Sequence, residues 1–268
     1  LRIQKITAGI VDGRMKIVVI DPRCSKTASQ AWKWLPVDPM NGVTGVAMGM
    51  IQWILENNRY DAKYLQNANK GAAKADDEPT WSQAAWLVKI GEDGKPGKYL
   101  RGSDFGLSKK KMPKKKVEEG NWEFDSFVTS LNGQPVFFDP NSETVPAEGD
   151  LLVNTEIKGI RVKSVLQIIR ETANARSLTE WAALAGINPM DIVDISKEFT
   201  SHGKKAVADI HRGVSQQTSG FYNVLAWYTV NALIGNTGWQ GGLCKSTTYD
   251  RTGGRPGHGG TSVVDGYT

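Results

Sequence analysis

The sequence predicts an α/β fold: a Rossmann-like parallel sheet flanked by helices, with a loop- and hairpin-rich insertion. Three observations carry this. Ile17, Val18, Val19 and Ile20 form a continuous β-branched run, the pattern of a strand buried on both faces. A second short run, 31–37, breaks at Pro36 and leads into Val46, Met50, Trp53 and Ile54 at helical spacing, which makes a strand–turn–helix unit. The middle of the chain then switches to short alternating stretches punctuated by Gly, Pro and Lys.

In chain order, 1–65 reads as the first part of a dinucleotide-binding domain, 66–160 as the β- and loop-rich insertion, 161–245 as the helical and α/β remainder, and 246–268 as a flexible Gly-rich tail. Inside the insertion, 85–90 and 98–101 flank a Gly-rich turn, and Asn132-Gly133 marks a second hairpin. Further on, 164–173 forms an apolar helix. Ser177 and Glu180 set up a capping box for the next. Asn188-Pro189 starts a third helix that turns Ile192, Ile195 and Phe199 inward. Residues 206–210 read as a short buried strand, followed by a polar loop and a long helix over 221–234.

Composition narrows the function classes. With 268 residues, 40% of them hydrophobic, and a net charge of +5, the chain has the make-up of an ordinary globular protein. Lys109, Lys110, Lys111, Lys114, Lys115 and Lys116 account for much of the positive charge. No aromatic residue is interleaved with them, so they suit a solvated loop better than a nucleic-acid patch. The two cysteines, Cys24 and Cys244, build neither a zinc nor an iron–sulfur ligand set and are expected to be structural. The histidines His202, His211 and His258 show no metal spacing. No apolar run reaches the ~18 residues of a membrane span, so direct membrane insertion is not expected. The N-terminus has neither an initiator methionine nor a secretory layout and reads as cut from a longer chain.

Two polar constellations could carry chemistry. Asp21, Pro22, Arg23, Ser25 and Thr27 follow the first strand, at the carboxyl edge where open α/β sheets bind nucleotides. A carboxylate there suits ribose hydroxyls or a base edge, and a guanidinium suits phosphate. Arg212, Ser215, Gln216, Gln217 and Thr218 crowd the second loop, again after an apolar run and before a helix. The chain lacks GxGxxG and the P-loop, and Gln217 spoils a GxSxG pattern around Ser215. The residues alone leave two readings open: a cofactor wall of an enzyme, or a non-catalytic nucleotide-binding or scaffold module.

VVIDPRCSKTA, followed by WLPV and a helix ending in WILENNRYD, resembles the molybdopterin oxidoreductases of the dimethyl sulfoxide reductase type, in their tetrathionate reductase branch. HRGVSQQTSGF followed by LIGNTGWQGG resembles the same family in the same order. The resemblance anchors 16–65 and 190–245. It implies a molybdenum-bis(molybdopterin guanine dinucleotide) cofactor, with Asp21, Pro22, Arg23, Ser25 and Thr27 along its guanosine end. Where the family reads guanine with the acid of Pro-Gly-Thr-Asp, this chain has Pro39-Met40-Asn41-Gly42, so Asn41 or Asp38 is the substitute. By the same resemblance, Arg212 and Gln216 lie near the pterin and the metal. The family further implies reduction of tetrathionate or a related sulfur oxyanion, with arsenate, polysulfide or thiosulfate as variants, in anaerobic respiration. It implies a [4Fe–4S] centre whose ligands do not occur here. It also implies a periplasmic location and two partners, an iron–sulfur electron-transfer subunit plus a membrane-anchored quinol-oxidising subunit. No catalytic or metal-ligating residue is expected within this stretch, which reads as an interior fragment inactive by itself.

Overall fold

The computed structural model describes residues 2–111, 123–210 and 212–243, with only the backbone of residues 2–5, Lys111 and Arg212. Helix α1 (Arg2–Val11), which the sequence pattern did not anticipate, precedes strands β1 (Val18–Ile20) and β2 (Lys33–Leu35). The two strands pair in parallel, with Val18 opposite Lys33 and Ile20 opposite Leu35. Between them, Ser25 closes a short 3-10 turn at Ala28–Gln30. The expectation of a strand buried on both faces needs correction. Val18, Val19 and Ile20 are all only half-buried, because among the described residues β1 has a ladder partner on one edge alone.

Helix α2 (Gly42–Glu56) is the centre of the main core. Val46, Ala47, Met50, Ile51, Ile54 and Leu55 are all buried, and full burial of each large side chain contributes about 1.5–3 kcal/mol. Gly42, Gly45 and Gly49 line one flank. A Cβ at Gly45 would lie 2.6 Å from the Trp181 carbonyl oxygen, and one at Gly49 would lie 2.9 Å from Ile192 Cδ1. Glycine costs a helix about 1 kcal/mol per residue relative to alanine, and here that cost permits close helix approach.

Helices α3 (Ala62–Gln66) and α4 (Lys70–Ala75) lead into the antiparallel region. Strands β3 (Leu87–Ile90), β4 (Pro96–Tyr99), β5 (Lys110–Lys111), β6 (Glu123–Phe124), β7 (Phe127–Leu131), β8 (Gln134–Phe138), β9 (Asn154–Ile157) and β10 (Ile160–Ser164) follow. The four-stranded sheet has the order β4-β3-β10-β9. The β3–β4 hairpin matches the expectation. So does β7–β8, where Asn132 and Gly133 both have positive φ, 52° and 76°, as a two-residue type I′ turn requires. Trp86 fastens this region: its rings meet Tyr99, Phe127 and Phe138, and its Nε1–H donates to the Ala68 carbonyl at 2.9 Å.

The chain then returns to helices α5 (Val165–Ala173), α6 (Leu178–Ala185) and α7 (Pro189–Thr200), which cover α2. The Ser177–Glu180 capping box forms, and Pro189 opens α7 as expected. A short helix, α8 (Arg212–Ser215), and a long one, α9 (Gly220–Leu233), complete the fold.

Residues 206–210 do not form the expected strand. Asparagine side chains replace the ladder: Ala208 donates its N–H to Asn231 Oδ1 at 3.0 Å and accepts from Asn231 Nδ2 at 2.8 Å, while Asn236 Nδ2 donates to the Ala206 carbonyl. Cys24 is also corrected: its free thiol is exposed and packs into no core. Lys114, Lys115 and Lys116, His211, Cys244, His258 and the tail 246–268 lie outside the described residues. Among those described, no helix is long and apolar enough to cross a membrane, and no cluster of His, Cys, Asp and Glu is arranged to hold a metal.

Candidate functional site

The site begins where β1 stops. The Asp21 N–H still reaches the Leu35 carbonyl at 3.2 Å, and its own carbonyl accepts from Trp34 Nε1 at 2.8 Å. These two bonds fix the backbone at the strand tip. The Asp21 carboxylate accepts the Arg23 N–H through Oδ1 at 2.8 Å, which leaves Oδ2 without a partner among the described residues. Pro22, Arg23 and Thr27 are exposed, and among the described residues no side-chain hydrogen bond holds Arg23 or Thr27. Ser25 differs, since its Oγ accepts the Ala28 N–H at 3.2 Å and is spent in the local turn.

The tip of β2 offers two candidate base readers. Asp38 Oδ1 accepts the N–H groups of Met40 at 2.8 Å and Asn41 at 3.2 Å, which leaves Oδ2 without a partner among the described residues, as in Asp21. Asn41 sits at the N-cap of α2, exposed, with no cap bond from its side chain. Its carboxamide is uncommitted, as are the first-turn N–H groups that a cap would have covered.

The second polar loop comes to the same edge through contacts that sequence reasoning missed. On the first turn of α2, the Thr44 hydroxyl donates to Asn223 Oδ1, from the start of α9. Asn223 is fully buried, and its Nδ2 donates to the Val214 carbonyl at 3.3 Å. Gln217 Nε2 donates to that same carbonyl at 3.4 Å. The loop is thereby clasped beside the N-terminus of α2. Gln216 is exposed, and its side chain makes no hydrogen bond among the described residues. Arg212 opens α8 by its backbone. The missed signal was present in the sequence: Asn223 and Asn231 interrupt an otherwise apolar helix, and a buried carboxamide requires partners.

Position is held by charge as well. Lys33, on β2, pairs with Asp191 at 2.8 Å and Asp194 at 3.0 Å, both on α7. Burial alone would lower the Lys33 ammonium, but the two carboxylates outweigh it and hold its pKa above the usual range. A separate cleft of about 450 Å³ lies at the far end of α9, where Trp81 and Trp239 face Lys74 and Glu78. It contains none of the strand-tip residues.

Converging strand tips, an uncapped helix N-terminus and a clasped polar loop lie together on one edge of an α/β protein. No known family profile matches the chain. Over 243 residues it is 47% identical to the selenate reductase of Mesobacillus selenatarsenatis, in an alignment that covers 91% of this chain and 22% of that polypeptide. It is 33% identical to the tetrathionate reductase of Archaeoglobus fulgidus, over 89% of this chain and 19% of the relative. The corresponding tetrathionate reductase polypeptide of Salmonella typhimurium is 30% identical over 85% and 20%. The homologues of this chain are catalytic subunits of molybdopterin oxidoreductases, the family to which both sequence motifs pointed, and the chain spans about a fifth of their length.

Proposed function

We propose that this chain forms part of the wall that holds the guanosine diphosphate end of a molybdopterin guanine dinucleotide in an oxyanion-reducing molybdenum enzyme. The observation that supports this most is the set of uncommitted polar groups on one edge: Asp21 Oδ2, Asp38 Oδ2, the Arg23 guanidinium, the Asn41 carboxamide and the Val43 and Thr44 amides that a cap would have covered. The donor set fits the group. A carboxylate accepts from ribose hydroxyls or from the N1–H and N2–H of guanine, Arg23 suits a diphosphate, and helix N-terminal amides favour negative charge. The cofactor, when bound, supplies the two-electron chemistry at molybdenum. Residues of this chain bind and orient it. Arg212 and Gln216, toward its pterin end, keep positive charge and hydrogen-bonding capacity near an anionic substrate.

The relatives are named for selenate and tetrathionate, so the substrate class is an oxyanion of selenium or sulfur. A periplasmic location belongs to the same proposal, as do two partners: an iron–sulfur electron-transfer subunit plus a membrane-anchored quinol-oxidising subunit.

The test is cofactor content in the whole catalytic polypeptide. Arg23→Ala and Asp21→Asn should lower both the guanine nucleotide released by acid hydrolysis and the bound molybdenum per polypeptide, with the circular dichroism unchanged. Normal contents of both in both variants would overturn the proposal. Guanine nucleotide bound without molybdenum in the unsubstituted protein would favour a non-catalytic nucleotide-binding module instead.

A further inference from the structure

Helices α2 and α9 are built alike and covered differently. Neither carries a charged residue within its body: Glu56 closes α2, and α9 has none. A helix that is apolar all round is ordinarily buried all round. α2 meets that expectation, with α5, α6, α7 and α9 packed about it. α9 packs mainly on α2 and on the short α8. Its polar carboxamides are spent inward, Asn223 on Thr44 and Val214, Asn231 on Ala208. Its outer face is left bare: Phe221 and Tyr222 are each 71% exposed, Tyr228 48% and Leu225 46%. For comparison, the exposed positions of α7 include the charged residues Asp194 and Lys197.

We propose that the outer face of α9 is the seat of an apolar helix from the same catalytic polypeptide, outside the stretch seen here. Three observations select this occupant. First, Phe221, Leu225, Tyr228 and half-buried Ala232 recur at four-, three- and four-residue intervals, the seam of helix-on-helix packing. Second, the face offers no charge to steer or specify a separate, reversible partner. Third, the matched stretch is 22% of the selenate reductase polypeptide, so in such a protein most of the chain is tethered beside this face at high effective concentration. α9 starts directly after Gln216, Gln217 and Thr218, so the docked helix would also form the wall opposite the polar loop. The inference rests on reading this chain as part of a longer catalytic polypeptide and is independent of which ligand the strand tips hold.

Hydroxyl-radical footprinting of the unsubstituted full-length protein provides the first readout. The labelling of Phe221, Tyr222, Leu225 and Tyr228 should drop to that of Trp227, their buried neighbour on the same helix. A photo-crosslinking amino acid at Leu225, in the same full-length protein, then identifies the occupant. A crosslink to an apolar peptide of the same polypeptide supports the proposal. Labelling well above that of Trp227 would overturn it, as would a crosslink to a second copy or to a different polypeptide. Guanine nucleotide content measured on the same preparation keeps a failure here distinct from a failure of the cofactor reading.

Discussion

The antiparallel region and the α2-centred region are held together by different means. Between β3 and β10 the backbone ladders do the work: hairpins join strands close in sequence, β3 pairs with β10 to close the four-stranded sheet, and Trp86 gathers its aromatic neighbours from the strands around it. Around α2 the decisive contacts span long separations. Gly45 meets Trp181, Thr44 meets Asn223, and Lys33 meets Asp191 and Asp194. The first region closes its own hydrogen bonds and its own core. The second leaves, among the described residues, a parallel pair with no third strand on either edge, strand-tip side chains with unused polar groups, and a bare helix face. A self-completed region and a region with unused polar groups and apolar surface lie in one chain, and the proposals above rest on the second.

Substitutions can break this contrast, and the largest effect belongs to the long-range side. Gly45→Val should destabilise the chain by about 3 kcal/mol, because the new side chain meets backbone of α6 that cannot move aside. Denaturant unfolding followed by tryptophan fluorescence measures it, and a cost near zero would remove close helix approach as the organising contact. Asn231→Ala should cost about 2 kcal/mol by stranding both backbone groups of Ala208. Hydrogen exchange should then rise at 206–210 and not at β7–β8. On the local side, Gly133→Ala forces a left-handed residue with a Cβ and should cost about 1 kcal/mol. Its exchange effect should stay within the β7–β8 hairpin.

The smallest effect depends on pH. Hydrogen bonds from the Ser177 N–H and hydroxyl hold the Glu180 carboxyl below its ordinary pKa. A depressed folded value stabilises the protein above the unfolded pKa of about 4.3, and that contribution is lost as pH falls through the folded value. Glu180→Ala should therefore lower Tm slightly at neutral pH, and the difference from the parent should vanish in strong acid. A difference that persists there would show that the capping box acts through something other than the ionised carboxylate.

Much of the fold and part of the site were legible in the sequence. The Ser177–Glu180 box, Pro189 at the start of α7 and the Asn132-Gly133 turn depend on backbone preferences a few residues long, so the residue types suffice. The strand-tip position of Asp21 and Arg23 was legible for the same reason: Pro22 ends the strand wherever the strand lies. The expected strand at 206–210 failed because a strand exists only with a neighbour, and asparagine side chains took the neighbour's place. The half-burial of β1 and the exposed thiol of Cys24 were likewise set by what packs, or does not pack, beside them.

By itself the sequence determined the α/β class, the helix starts and turns, and two motifs whose homologues are molybdopterin oxidoreductases. Tertiary structure alone decided that β1 is only half-buried, that Thr44 and Asn223 clasp the Gln216 loop to α2, and that α9 has a bare face. The division follows from the range of the forces. Caps, turns and proline stops act within a few residues, whereas burial and hydrogen-bond satisfaction depend on segments far apart in sequence that only the folded chain brings together.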